Sequence, residues 1–334
     1  MRIFITGVAG FLGSHLADRL IADGHQVSGC DNFIGGYRDN VPAGVNFFKS
    51  DCLDRERMWE LLEGVDVVYH AACTAYEGLS VFSPYLVTLN TFQATLSMLS
   101  AAIVCKVKRF VFLSSMARYG AQDTLPFTED MVCRPQDPYG IAKYAAELEI
   151  AELCRTHGIE YSIAVPHNII GPRQKYDDPY RNVASIFINL MLQKRAPAIY
   201  GDGEQTRCFS FVDDVVDPLV RMGTLPEAEG EIINVGPDQG EVTINELFKI
   251  IAGLTGFKGE PMRLPGRPRE VKRASCSAEK ARRLLGYEPK TTLEDGLRKM
   301  IEWIEKRGMR KFEYHLPLEI ENDQTPRTWT DRLY

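Results

Sequence analysis

Gly7, Gly10 and Gly13 stand three apart between a short β-type run, Arg2–Thr6, and a segment of helical period, Leu12–Ala22. Glycines so placed permit a tight strand-to-helix turn, let backbone approach a pyrophosphate, and pack the helix closely on its strand. The N–H groups that open the helix then face the phosphates. The spacing is GxxGxxG rather than GxGxxG. The next apolar run, Gln26–Cys30, leads straight into Asp31, 18 residues past Gly13. That is close to the roughly 20 at which an acidic residue holds an adenosine ribose.

The same rhythm continues to about residue 165. Apolar runs at Val45–Lys49, Val65–His70, Arg109–Leu113 and Glu160–Val165 alternate with helical segments at Arg55–Leu62, Tyr85–Cys105 and Pro138–Thr156. Short Val/Ile/Phe runs separated by helices are how parallel strands buried on both faces read. They predict an α/β fold with a doubly wound parallel sheet of Rossmann type, its ligands at the carboxyl ends of the strands. After Pro166, Pro, Gly and charge become denser. Helices at Val183–Lys194, Asp213–Met222, Ile244–Leu254, Ser277–Leu285 and Leu293–Lys306 outnumber strands. The expected division is a dinucleotide-binding domain over 1–165, a smaller, mostly helical substrate-binding lobe over 166–307 with some segments returning to the sheet, and a tail over 308–334. That tail carries Phe312, Tyr314, Leu316, Leu318, Ile320 and Trp329, and is expected to pack onto something, a partner subunit being one candidate.

Composition bounds the rest. With 334 residues, 45% hydrophobic and 25% charged, the chain is globular rather than disordered. A net charge of −6 speaks against a nucleic-acid partner, so any anion site must be local. Eight cysteines without a CxxC pair and six histidines without HExxH predict reduced thiols, a cytoplasmic location, no disulfide framework and no metal. No apolar stretch is read as approaching the ~20 residues of a membrane span. His15 and Asp18 close off a signal-peptide reading of the N-terminus.

Asp137-Pro138-Tyr139-Gly140-Ile141-Ala142-Lys143 reads as a helix start, Asp137 capping and Pro138 in the first turn. Tyr139 and Lys143, four apart, share a face. A phenol near pKa 10 is a poor base, and bringing it near neutrality takes about 4 kcal/mol of phenolate stabilisation. An ammonium one turn away, a helix N-terminus and a cationic nicotinamide are expected to supply it. Ser115 closes the fifth strand, where it can hydrogen-bond a substrate hydroxyl. A carboxylate at Asp31 repels a 2′-phosphate, so NAD is the expected cofactor. Phe11 and Leu12 inside the glycine turn, and Asn32, Asp51 and Cys52 at the tips of the second and third strands, join the cofactor candidates. Asp51 reads equally as a helix cap before Leu53–Arg55.

Together these features resemble the extended short-chain dehydrogenase/reductase family, in its nucleotide-sugar epimerase/dehydratase branch. TGVAGFLGSH, YHAA (69–72), LSSMARYG (113–120), DPYGIAK (137–143), HNIIGPRQ (167–174), YGDGEQTRCFSFVDDV (200–215) and INVG (233–236) look like its signatures, in family order. The resemblance implies Ser115, Tyr139 and Lys143 as the catalytic set, Ala71 and Ala72 along the cofactor channel, and a structural, core-bonded role for Asn90. It implies Asn168, Arg207 and Arg267 on a nucleoside diphosphate, with Asn182 and Val183 as further substrate candidates. It also implies a homodimer through helices 85–105 and 138–156.

Residues 263–283 carry eight basic side chains, Arg263, Arg267, Arg269, Lys272, Arg273, Lys280, Arg282 and Arg283, against Glu270 and Glu279. This local excess suits a diphosphate, with Lys280, Arg282 and Arg283 read as solvated helix charges. Tyr200 reads either as a stack for the base or as a turn anchor. Arg118 stands where the family usually has a small apolar residue, and reads either as a partner for a substrate carboxylate or as a surface partner of Glu129.

Met116 and Ala117 occupy positions where the 4,6-dehydratases place Asp and Glu, and where UDP-xylose-forming decarboxylases keep the Glu. Segment 166–187 looks most like GDP-mannose 3,5-epimerases, yet their Cys and Lys correspond to Ala117 and Asp177. What remains suffices for 4-epimerisation of a nucleotide sugar, a UDP-hexose or UDP-hexuronic acid. Two alternatives stay open: a 4-ketoreductase or 4-dehydrogenase with net NAD(H) turnover, and a non-catalytic NAD-binding module.

Overall fold

The computed structural model describes residues 1–267 and 271–334; Arg269 and Glu270 of the basic run lie outside them. Six strands of the first half, β1 (Arg2–Thr6), β2 (Gln26–Asp31), β3 (Asn46–Lys49), β4 (Val67–His70), β5 (Arg109–Leu113) and β6 (Glu160–Pro166), are joined by a seventh, Ile232–Val235, from the second half. Every pairing is parallel, in the order Ile232–Val235, β6, β5, β4, β1, β2, β3. The order reverses between β1 and β4, which opens a crevice at their carboxyl ends.

The period of two along each strand sends neighbours to opposite faces. Ile3 and Ile5, Val67 and Tyr69, Val111 and Leu113 point into one core; Phe4, Val68, Phe110 and Phe112 point into the other. Helix Phe11–Ala22 packs against Val212–Thr224 on the first face, and Arg55–Leu62, Ala94–Val104 and Pro138–His157 cover the second.

One expectation is corrected here. The run Pro84–Val104 is, by length and composition, apolar enough to cross a membrane. The sequence reading passed over it because Thr, Asn, Gln and Ser interrupt the run without outweighing its apolar residues. In the fold it lies between the Arg55–Leu62 and Pro138–His157 helices as a half-buried layer over the sheet.

The tail, in turn, packs on its own chain. Leu316 and Trp329 join Tyr76, Leu79, Phe82 and Tyr180 in one apolar cluster, while Phe312 enters the main core. Its apolar content marked it as a packing segment; only the long-range packing decided against what.

Candidate active site

The crevice continues as one cavity of about 500 Å³, lined from Gly7 and Asp31, past Ser115 and Tyr139, to Arg207, Tyr200 and Tyr334. At its first end Gly7 adopts φ +70°, and a Cβ there would lie 3.0 Å from the Ala72 nitrogen. A Cβ on Gly13 would lie 2.3 Å from the Gly7 carbonyl oxygen. No side chain caps the start of helix Phe11–Ala22, so its first N–H groups are available to an anion. Phe11, Leu12, Cys52 and Ala71 line the same end.

Asp31 ends β2, buried, with Oδ2 accepting the Ala9 N–H at 3.0 Å and Oδ1 the Phe33 N–H at 2.7 Å. Burial pushes its carboxyl up, and these N–H groups oppose the shift. Asn32 donates to Asp51 Oδ2 at 2.8 Å, and Asp51 Oδ1 accepts the Leu53 N–H at 2.9 Å. Asp54, rather than Asp51, caps the Arg55–Leu62 helix. Close-approach glycines, an uncapped helix start and a strand-tip carboxylate fit a dinucleotide, its pyrophosphate at the helix and a ribose at Asp31.

The middle of the cavity is built by β5 and the Pro138–His157 helix. Asp137 Oδ1 accepts the Gly140 N–H at 2.9 Å, fixing the helix start. Tyr139 and Lys143 are both buried on its inner face. Lys143 Nζ donates to the Leu113 carbonyl at 2.6 Å and lies 5.9 Å from the Tyr139 ring centre. The Tyr139 hydroxyl meets the Ser115 side chain, so the three sequence-predicted residues come together.

A lowering of the phenol is expected from Lys143, the helix start and a cationic nicotinamide together, and the protein's own groups leave it raised. Burial, then the neighbouring Cys73 thiol, push Tyr139 up, and only the Ser115 hydrogen bond among the leading causes opposes them.

Asn90 is a further correction. It sits on a π-helical turn, Leu89–Gln93, and lines the cavity instead of bonding within a core; such turns re-aim a side chain out of helical register.

At the far end Asn168, held at φ +43°, donates to the Cys208 carbonyl at 3.1 Å. Asn182 caps the Val183–Leu192 helix through Ala184 N–H at 3.0 Å. Both line the cavity with Val183, Arg207 and Arg267. The Arg267 guanidinium lies 4.1 Å over the Tyr200 ring, and its Nε has no hydrogen-bond partner among the described residues. Tyr200 in turn bonds Thr328 through its hydroxyl at 2.6 Å. Of the remaining basic run, Lys280 pairs with Glu231 and Arg282 with Asp238, each at 2.5 Å.

Arg118 takes neither of its expected roles. It is 3% exposed, paired with Glu147 and stacked on Tyr119 and Tyr144, away from the cavity lining. The Glu129 carboxylate instead accepts the Asn234 N–H. Asp177, too, is buried and accepts the Tyr37 hydroxyl at 2.6 Å.

Among the lining residues that sequence reasoning missed are Cys73, Arg181 and Tyr334. Cys73 directly follows the YHAA motif, so its position was legible. Arg181 stacks 4.7 Å over Tyr76 and donates to the Gly35 carbonyl at 3.3 Å; its loop has no periodicity that would have flagged it.

A doubly wound sheet with a phosphate-ready turn at its switch point and a Ser/Tyr/Lys set beside it defines a dinucleotide-dependent enzyme of the short-chain dehydrogenase type. Residues 3–236 match the model of the NAD dependent epimerase/dehydratase family, and the chain belongs to that family. Its cofactor is NAD. The chain is 35% identical over 317 residues to a UDP-glucose 4-epimerase of Mycolicibacterium smegmatis, covering 92% of this chain and 100% of that one. It is 33% identical over 310 residues to UDP-glucuronic acid decarboxylase 1 of Xenopus tropicalis, covering 91% of this chain and 72% of that one. The crystal structure of the UDP-glucose 4-epimerase of Thermotoga maritima with UDP-glucose superposes with a TM-score of 0.86 at 34% identity, covering 92% and 99% of the two chains.

Proposed function

We propose that this protein is an NAD-dependent nucleoside-diphosphate-sugar 4-epimerase acting on a UDP-hexose or UDP-hexuronic acid. The reading rests on one observation: Ser115, Tyr139 and Lys143 face a single cavity between a dinucleotide crevice and the Arg207/Arg267 end, with Met116 and Ala117 beside them. Neither of those two side chains can move a proton, so elimination across C5–C6 has no acid–base pair there.

Bound NAD supplies a hydride acceptor and donor, and a positive charge near the phenol. Ser115 orients the sugar 4-hydroxyl, and Tyr139 takes its proton. Lys143, anchored on Leu113, fixes the end of the helix on which that phenol rides. Asn168, Arg207 and Arg267 hold the diphosphate while the 4-keto sugar turns and presents its other face. With hydride restored to C4 on that face, Tyr139 gives the proton back to the 4-oxygen, so redox balances without net cofactor turnover.

The test is interconversion of C4 epimers by purified protein without added NADH, read by NMR of the product sugar. Tyr139→Phe should abolish it; unaltered turnover in that variant would refute the assignment of the base. Stoichiometric NADH formation with sugar would instead make the protein a net redox enzyme.

The helices Pro84–Val104 and Pro138–His157 expose Tyr85, Val104, Ile141 and Leu148, which supports a homodimer through these faces. Eight free thiols suit the reducing cytoplasm.

A further inference from the structure

Tyr334 lines the far end of the cavity beside Ala198 and Tyr200. After helix Leu293–Arg307 the tail crosses from one half of the protein to the other. Glu319 accepts the Tyr85 and Leu86 N–H groups at 2.9 and 2.8 Å, and the Ser83 hydroxyl donates to the Pro317 carbonyl at 2.7 Å. Trp329 then donates to the Pro179 carbonyl at 3.1 Å, and Thr328 meets the Tyr200 hydroxyl.

This path returns the Tyr334 ring to the cavity, packed with Leu333 against Ala198, Tyr200 and Leu264. Phe312 backs it at 5.3 Å between ring centres, and the Tyr314 hydroxyl accepts its N–H at 3.1 Å. A strap pinned at both halves thus delivers one aromatic ring to a defined place.

On the reading proposed above, a sugar whose 4-hydroxyl lies at Tyr139 and whose diphosphate lies at Arg207 and Arg267 leaves its nucleobase at Tyr200 and Tyr334. We propose that the C-terminal strap reads the nucleobase: Tyr334 closes the end of the base slot and selects a pyrimidine over a purine nucleoside diphosphate. Thr328 is a positioning residue in this arrangement, because it holds Tyr200, the ring beside Tyr334, by its hydroxyl. A flat ring closing the slot gives the base an apolar face to pack on and denies length to a second fused ring.

The test is calorimetric titration of UDP and of GDP into the NAD-loaded protein, which needs no turnover. Wild type should prefer UDP. Tyr334→Ala should weaken UDP by about tenfold or more and narrow the gap to GDP. Tyr334→Phe, which keeps the ring, should restore most of the preference.

Unchanged UDP affinity in Tyr334→Ala would overturn the proposal. So would tighter binding, since the ring would then be a plug that the nucleotide must displace. Should the alanine variant melt early without ligand, Tyr334→Leu, which keeps apolar bulk against Phe312 but no flat ring, gives the same readout. Failure of wild type to bind either nucleotide would bring down both this proposal and the 4-epimerase reading; intact UDP binding with indifferent variants would bring down this one alone.

Discussion

Arg118 and Glu147 form an ion pair, Nε to Oε2 at 2.9 Å, between side chains that are 4% and 2% exposed. The contact is ionic rather than an aligned hydrogen bond. Glu147 lies one turn beyond Lys143 on the Pro138–His157 helix, and its other oxygen takes the hydroxyl of Ser114, the neighbour of Ser115. The pair therefore ties the strand end that presents Ser115 to the helix that presents Tyr139 and Lys143.

Burial pushes the Glu147 carboxyl up to about 7 from an ordinary value of 4.5, with Arg118 opposing. A folded pKa above the unfolded one means that the folded state binds more protons between about 4.5 and 7. Stability from this group is full below that window and is lost as pH rises through it. Wild type should lose thermal stability relative to Glu147→Gln across the window and run parallel to it above. A constant gap from pH 4.5 to 8 in paired melting curves would contradict this.

Arg118→Met removes the ion-pair partner and leaves a buried carboxylate with only the Ser114 hydroxyl bonded to it. Breaking such a pair costs about 3–5 kcal/mol, read as a lower urea midpoint at pH 8. Acidification should narrow the deficit, since a protonated Glu147 no longer needs a counter-ion.

Gly13→Ala would place a methyl group against the Gly7 carbonyl and the Val8 Cα, backbone atoms that cannot swing aside. The turn has to open, an overpacking cost of about 1–3 kcal/mol, and the N–H groups of the helix start move with it. NAD released on denaturing the purified variant should fall well below that from wild type. Equal cofactor content would show that the turn tolerates the shift.

Asp31→Asn keeps an oxygen for only one of the Ala9 and Phe33 N–H groups, which Asp31 holds on separate oxygens, and removes the charge at the tip of β2. Discrimination against NADP should fall by about tenfold, equivalent to about 1.4 kcal/mol, in competitive titrations. A preference for NAD as strong as wild type's would assign selectivity elsewhere.

Lys143→Met should leave the fold intact and lower kcat by about 10²–10⁴, the range of a disrupted general base. The side chain reaches the Leu113 carbonyl from inside the cavity, so its loss acts on the position and charge around Tyr139. Unchanged single-turnover epimerisation would leave Lys143 as packing only.

Much of this was legible because it is written locally. Strand β1 at Arg2–Thr6 and β5 at Arg109–Leu113 fall where the apolar runs do. The glycine spacing announced the crevice, and Asp137-Pro138 announced the helix that carries Tyr139 and Lys143 four residues apart. Asn90 was harder, because a π-turn breaks the 3.6-residue rule on which a helical face is read.

By itself the sequence determined the periods, the turns and the chemistry carried at each strand tip, since these depend on residues within a few positions of one another. Tertiary structure alone decided that Arg118 is buried against Glu147, that the tail folds back on its own chain, and that Tyr334 ends in the cavity. Those outcomes follow from which faces meet across the fold. Partners from distant elements settle together through shared burial and charge, and a local pattern encodes a face without naming what covers it.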